Sequence, residues 1–159
     1  MDFEYDAALQ AEATIVMTRI FDAPRAKMWA ALTTPEHVKR WYGGDGFTNP
    51  VCEMDVREGG LWHHVMRTPD GHDIALDMVY VTVDPPKKLV WRHVDFGKGT
   101  GALPYSENTV TLEDLGEKTG WRMVARFASF DDRARAQAMG FAETVGRGCA
   151  KVEAVAQAI

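Results

Sequence analysis

Between Glu53 and Arg67 the chain alternates large apolar and polar side chains on both sides of the pair Gly59-Gly60, a pattern that fits two extended strands pivoting on that pair. Extended backbone turns every second side chain to the same face. Trp62, His64 and Met66 therefore share one face, and His63, Val65 and Arg67 the other. The face with Trp62 is expected to be the buried one, which places an imidazole among bulky apolar groups and suits the lining of a pocket.

The surrounding sequence extends this strand pair into a sheet. Thr14 to Phe21 is rich in β-branched residues and predicts a first strand, ended by Asp22 and Pro24, which signal a helix start. A short helix follows over Pro24 to Leu32. Thr34-Pro35 restarts a second one that carries Val38, Trp41 and Tyr42 and stops at Gly43-Gly44-Asp45-Gly46. Further strands are predicted over Val51 to Arg57, Leu61 to Thr68, His72 to Val83, Leu89 to Phe96, Tyr105 to Leu115 and Gly120 to Phe130. The connections at Pro69-Asp70-Gly71 and Asp84-Pro85-Pro86 are of hairpin length, so the sheet is antiparallel. Gly97 to Pro104 reads as a mobile loop.

From about Asp131 the hydrophobic period changes. Phe141, Val145, Cys149, Val152, Val155 and Ile159 recur at spacings of three and four, the stripe of one long helix lying across the sheet, with Ser129 to Asp132 as a capping signal. Gly140, Gly146 and Gly148 are costly inside such a helix, about 1 kcal/mol each against alanine, so a geometric reason for them is expected. Gly148 falls on the stripe and leaves room between helix and sheet.

Alternation assigns the inner wall. Arg122 and Arg126 facing water turn Trp121, Met123, Ala125 and Phe127 inward, and Arg92 facing water turns Leu89, Trp91 and His93 inward. Val110 and Leu112 point in, as do Cys52, Met54 and Val56. The strand from His72 to Val83 is apolar on both faces, so its parity stays open. His63 points outward, and His37 and His72 are expected in water. Asp55 and Arg57 share a strand face and are expected to form an exposed pair.

Composition narrows the function classes. The 159 residues carry 23 acidic and 18 basic side chains, a net charge of -5, with no basic run longer than two, which argues against a nucleic-acid partner. Residues 1–12 read as a flexible N-terminal segment without a signal layout, and 13–159 as a single domain. No apolar run has the length of a membrane span, so a cytoplasmic protein is expected. Cys52 and Cys149 read as buried thiols. No motif of a hydrolase, kinase or zinc protease is present, and neither a cofactor nor a metal is expected, because two inward histidines on separate strands lack a third ligand.

The order of strand, two helices, six strands and long helix is that of the helix-grip fold, an α+β architecture. Phe21-Asp22-Ala23-Pro24 through Trp29, Thr34-Pro35-Glu36-His37 through Trp41, Asp55-Val56-Arg57-Glu58-Gly59-Gly60-Leu61-Trp62 and Asp84-Pro85-Pro86-Lys87-Lys88-Leu89 together resemble the START-like (SRPBCC) superfamily. Within it they are most similar to the bacterial proteins related to activators of the heat-shock chaperone ATPase. The resemblance runs from about residue 14 to the C-terminus. It implies a curved antiparallel sheet wrapped around the terminal helix, enclosing a cavity that in relatives holds lipids, polyketides, hormones or other apolar molecules. His64, His93 and Phe141 depart from the side chains usual at their positions, and Gly146 and Gly148 from larger ones.

Three functions follow as expectations. The first is binding of a small, largely apolar molecule by Trp62, His64, Met66, Trp91, His93, Trp121, Met123, Phe141, Val145 and Gly148, with the two histidines orienting it. The second is an enzyme of cyclase or lyase type in which His64 or His93 moves a proton. The third takes the family name literally, as a chaperone ATPase co-regulator or other protein-binding module. A homodimer through the edge of the first strand or a helix face stays open.

Overall fold

The computed structural model describes residues 12–94 and 105–159. The expected N-terminal segment up to residue 11, the strand end at Phe96 and the loop Gly97 to Pro104 lie outside the described residues. The elements run β1 (Thr14–Phe21), α1 (Arg25–Thr33), α2 (Pro35–Trp41), β2 (Thr48–Met54), β3 (Leu61–Arg67), β4 (Asp73–Asp84), β5 (Lys88–His93), β6 (Ser106–Leu115), β7 (Lys118–Phe127), α3 (Phe130–Ala138) and α4 (Phe141–Gln157). The strands form one seven-stranded sheet in the order β1-β7-β6-β5-β4-β3-β2, every neighbouring pair antiparallel. A curved antiparallel sheet with helices gripped on one face is the helix-grip architecture expected from the sequence.

The Gly59-Gly60 pivot has a steric cause. A Cβ on Gly60 would stand 1.9 Å from the carbonyl oxygen of Asp55, and Gly59 has a φ of +79°, so neither position takes a side chain without rearrangement. The bend is fixed to β4 by Gly59 N–H donating to Tyr80 O at 2.8 Å and Tyr80 N–H donating to Gly60 O at 3.0 Å. β2 stops at Met54, short of the predicted Arg57. Arg57 N–H turns back to Asp55 O, and the expected Asp55 and Arg57 pair forms within that turn, Nε to Oδ2 at 2.7 Å.

The terminal segment is two helices where the sequence predicted one. Ser129 caps α3 as anticipated, its hydroxyl accepting from Asp132 N–H. Gly140, with a φ of +80°, then breaks the run and starts α4 in a new direction. The apolar stripe belongs to α4 from Phe141 through Val152 to Ala156, while Ile159 lies past its end and is exposed.

The core divides into two blocks. One gathers Phe21, Met28, Val110, Trp121, Met123, Ala125, Phe127, Cys149 and Val152 from β1, α1, β6, β7 and α4. The other gathers Val38, Cys52, Trp62, Leu76, Met78, Tyr80 and Leu89 from α2 and β2 to β5. Trp29, Trp41 and Trp91, each only partly buried, pack against both. Each large side chain wholly removed from water, such as Phe21 or Met78, contributes about 2 to 3 kcal/mol. Cys52 and Cys149 are free and buried, as read from the sequence.

Candidate binding site on the inner face

Strand register fixes the inner wall row by row. Trp62 of β3 stands opposite Met78 of β4, which stands opposite His93 of β5. In the next row Tyr80, Trp91, Asn108 and Ala125 follow across β4 to β7, with Ile15 of β1 at the end. The parity left open for β4 is thereby settled, with Leu76, Met78 and Tyr80 inward. A register shift follows between Tyr80 and Thr82. Trp121, Met123, Ala125 and Phe127 are all inward and buried, as alternation predicts.

His64 is fully buried, and both of its nitrogens are engaged. Asn49 Nδ2 donates to Lys39 O at 2.8 Å and Tyr42 O at 3.0 Å, so Asn49 Oδ1 is left as the acceptor for His64 Nε2 at 2.8 Å. Trp62 Nε1 donates to His64 Nδ1 at 3.3 Å. Together these bonds select the neutral tautomer with its proton on Nε2. Burial lowers its pKa from 6.5 to about 4, with smaller electrostatic contributions in the same direction from His63 and Lys39. The tyrosine ring of Tyr42 lies 4.2 Å from the imidazole, and burial raises that phenol to about 12. His64 thus ties the C-terminal carbonyls of α2 to the inside of the sheet.

His93 has a different setting. Its Nδ1 lies 3.2 Å from Ser106 O and 3.4 Å from Ser106 N, its ring stacks on Tyr105 at 5.7 Å, and burial lowers its pKa. No protein group among the described residues bonds its Nε2. The two histidines stand on opposite sides of β4, His64 opposite Leu76 and His93 opposite Met78, and make no direct contact. Outward His63 pairs with Asp77 at 2.6 Å, and exposed His72 reaches Asp70 at 3.3 Å. His37, expected in water, has a buried Nδ1 without a partner.

On the helix side, Phe141 packs edge-on against Phe127 at 5.6 Å, and Val145 is half-buried beside the first core block. A Cβ on Gly146 or Gly148 would meet nothing within 4 Å. Trp41 Nε1 donates to Ala31 O at 2.8 Å and so locks α1 to α2, a packing role. Lys151 of α4 donates to Gly43 O and Gly44 O at 3.3 and 3.0 Å, tying the glycine loop to the helix. The structure therefore gathers Trp121, Met123, Phe141 and Val145 around the first core block, with Trp91 packed against both blocks and His93 opposite Met78 of the second. Trp62 and His64 sit in the second block, with Met66 packed against it.

The sequence reading passed over three inner-face polar groups. Ser106 and Asn108 have the same parity as the assigned Val110 and Leu112, so alternation carried four residues upstream would have found them. Arg19 stands opposite inward Trp121, and its Nη1 reaches Gly146 O at 3.4 Å. An alternation count starting at buried Phe21 gives its direction. Among the described residues no three His, Cys, Asp or Glu side chains cluster in a way that would hold a metal. Nor is any helix among them long and apolar enough to cross a membrane.

A curved antiparallel sheet closed by a C-terminal helix, with an aromatic inner wall, defines a helix-grip protein. More narrowly, the family model described as Activator of Hsp90 ATPase homolog 1-like protein matches residues 22–154, and the chain belongs to that family. A solution structure from Arthrobacter aurescens is similar at a TM-score of 0.84 and 22% identity, covering 98% of this chain and 91% of that one. A crystal structure from Nitrosomonas europaea reaches 0.81 at 22% identity over 91% and 94% of the two chains. An AHSA1-like protein from Aeromonas hydrophila reaches 0.71 at 19% identity over 89% and 92%. At these identities the likeness speaks for the fold. Comparison with curated proteins returns no match.

Proposed function

We propose that the chain binds a small, largely apolar molecule between the inner face of β3 to β7 and the N-terminal half of α4. The observation that carries this reading is the exposure pattern. Met66, Trp91, His93, Phe141 and Val145 lie on the covered side yet stay partly accessible, whereas Met78, Tyr80 and Ala125 beside them are buried. A solid interior would bury both sets alike. The division of the core into two blocks bridged by half-buried tryptophans favours the same reading, and proteins of this fold family commonly take apolar ligands. Affinity would come mainly from buried apolar area, at about 25 cal/mol per Å² before ordering costs.

Within this reading Trp91, His93, Trp121, Met123, Phe141, Val145 and Gly148 form the contact wall, with Trp62 and Met66 at its far side. His64 supports the wall from behind, because its nitrogens are already used by Trp62 and Asn49. The same saturation leaves the cyclase or lyase reading without a base at that position. The test is to fill the space. Gly148→Leu or Ala125→Trp, in variants with wild-type circular dichroism, should abolish uptake of an apolar probe such as 2-acetylnaphthalene. Undiminished binding in both folded variants would place the site elsewhere.

A further inference from the structure

The inner wall carries one hydroxyl that the protein itself does not use. Among the described residues two buried side-chain atoms lack a hydrogen-bond partner, His37 Nδ1 on α2 and the hydroxyl oxygen of Tyr80 on β4. Tyr80 is 1% exposed and points inward in the row with Trp91, Asn108 and Ala125. It is held from two sides. Its backbone N–H and C=O bond to the Gly59-Gly60 bend, and its ring stacks on Trp62 with centroids 6.1 Å apart and planes 9° from parallel. A buried hydroxyl left unbonded is costly, and a phenylalanine would fill the same place without that cost, so the oxygen points to a partner supplied from outside. Water suits the place poorly. A buried water needs two or more polar partners, which Met78 on the same strand face cannot supply and Trp62, its N–H given to His64, no longer can.

Resting on the reading above and deepening it, we infer that Tyr80 is a specificity-determining residue whose hydroxyl donates a hydrogen bond to an uncharged oxygen of the ligand. The ligand class is therefore an apolar molecule bearing a ketone or similar neutral carbonyl. Burial, with Cys52 and Tyr42 nearby, raises the pKa of the phenol, so the hydroxyl keeps its proton and acts as a donor at neutral pH. Trp62, Met78 and Trp91 around it carry no charge to balance an ionised group, which disfavours a carboxylate at this point. The hydroxyl is covered in this conformation. Trp91, directly opposite on β5 and only half-buried between the two core blocks, is the side chain that turns aside to admit the carbonyl. A hydrocarbon of the same shape gains the same apolar burial but leaves the hydroxyl unbonded.

Two probes of matched shape, 2-acetylnaphthalene and 2-isopropenylnaphthalene, differ only in carrying C=O or C=CH2. Equilibrium dialysis of the wild type and of Tyr80→Phe gives the ratio of their affinities in each protein, which cancels the different hydration of the probes. The substitution should lower the ketone-to-hydrocarbon ratio by about tenfold, by weakening the ketone while keeping the hydrocarbon. Without ligand, Tyr80→Phe should leave the urea midpoint unchanged or raise it, because no bond is lost. An unchanged ratio in a folded variant that binds both probes overturns the assignment while leaving the hollow intact, and so does a lowered midpoint, which would show a partner within the protein. Infrared spectroscopy of bound 2-acetylnaphthalene tests the bond in the wild type, should the variant fail to melt cooperatively. The carbonyl stretch should lie below its position in hexane, and a band at the hexane position overturns the bond. Binding of neither probe by the wild type removes the hollow itself and the inference with it.

Discussion

His64 offers a test of the interior that needs no ligand. In the folded chain it is neutral, with a pKa near 4, while in the unfolded chain it titrates near 6.5. Above pH 6.5 neither state takes up a proton and folding loses nothing. As the pH falls through 6.5 the unfolded state gains protons that the folded state refuses, so stability declines until the pH approaches 4, where the folded imidazole also protonates. Between pH 7 and pH 5 the loss from this residue is about 2 kcal/mol. Urea unfolding at the two pH values, for the wild type and for His64→Gln, isolates it, since the acidic residues and His93 titrate in both proteins. The wild type should lose about 2 kcal/mol more than the variant. In parallel, the His64 ring proton resonances should show no titration above about pH 5. An equal loss in the two proteins, or a His64 resonance that titrates near 6.5, would refute the buried, doubly bonded imidazole.

Other substitutions probe the frame. Gly60→Ala should destabilise by about 3 kcal/mol or more in urea unfolding, because its Cβ would collide with the Asp55 carbonyl oxygen. Gly148→Ala should do the opposite and stabilise by about 1 kcal/mol, since the added methyl meets nothing within 4 Å and the helix gains propensity. Ser129→Ala should cost about 1 kcal/mol by removing the cap of α3, read from the thermal midpoint.

Much of the sheet was legible because strand alternation is a local rule. Trp121 to Phe127 and Leu61 to Arg67 point as their parity predicts, and the glycine pair sits at the bend. The break at Gly140 was missed because the apolar stripe begins only at Phe141, after the break, and the segment between the Ser129 cap and Gly140 carries almost no apolar pattern that would show a second helix. The parity of β4 needed the register of its neighbours, which no single strand contains. His64 looked like a free polar group because its partner Asn49 lies in the neighbouring strand β2 at a register shift, and Asn49 is fixed in turn by the carbonyls of Lys39 and Tyr42. Such networks depend on tertiary placement. Asn108 was within reach of the alternation rule, but a lone amide among Thr109, Thr111 and Glu113 gives no sign of being inward until Val110 and Leu112 are followed upstream.

The central claim is that the inner face of the sheet and α4 enclose space for an apolar guest. Methyl NMR during titration with 2-acetylnaphthalene tests it most directly. Resonances of Met66, Val110, Met123 and Val145 should shift together and saturate at one equivalent, while the exposed Ile20, Val81 and Leu115 on the outside stay still. Shifts confined to those outer methyls, or none at saturating probe, would contradict the account.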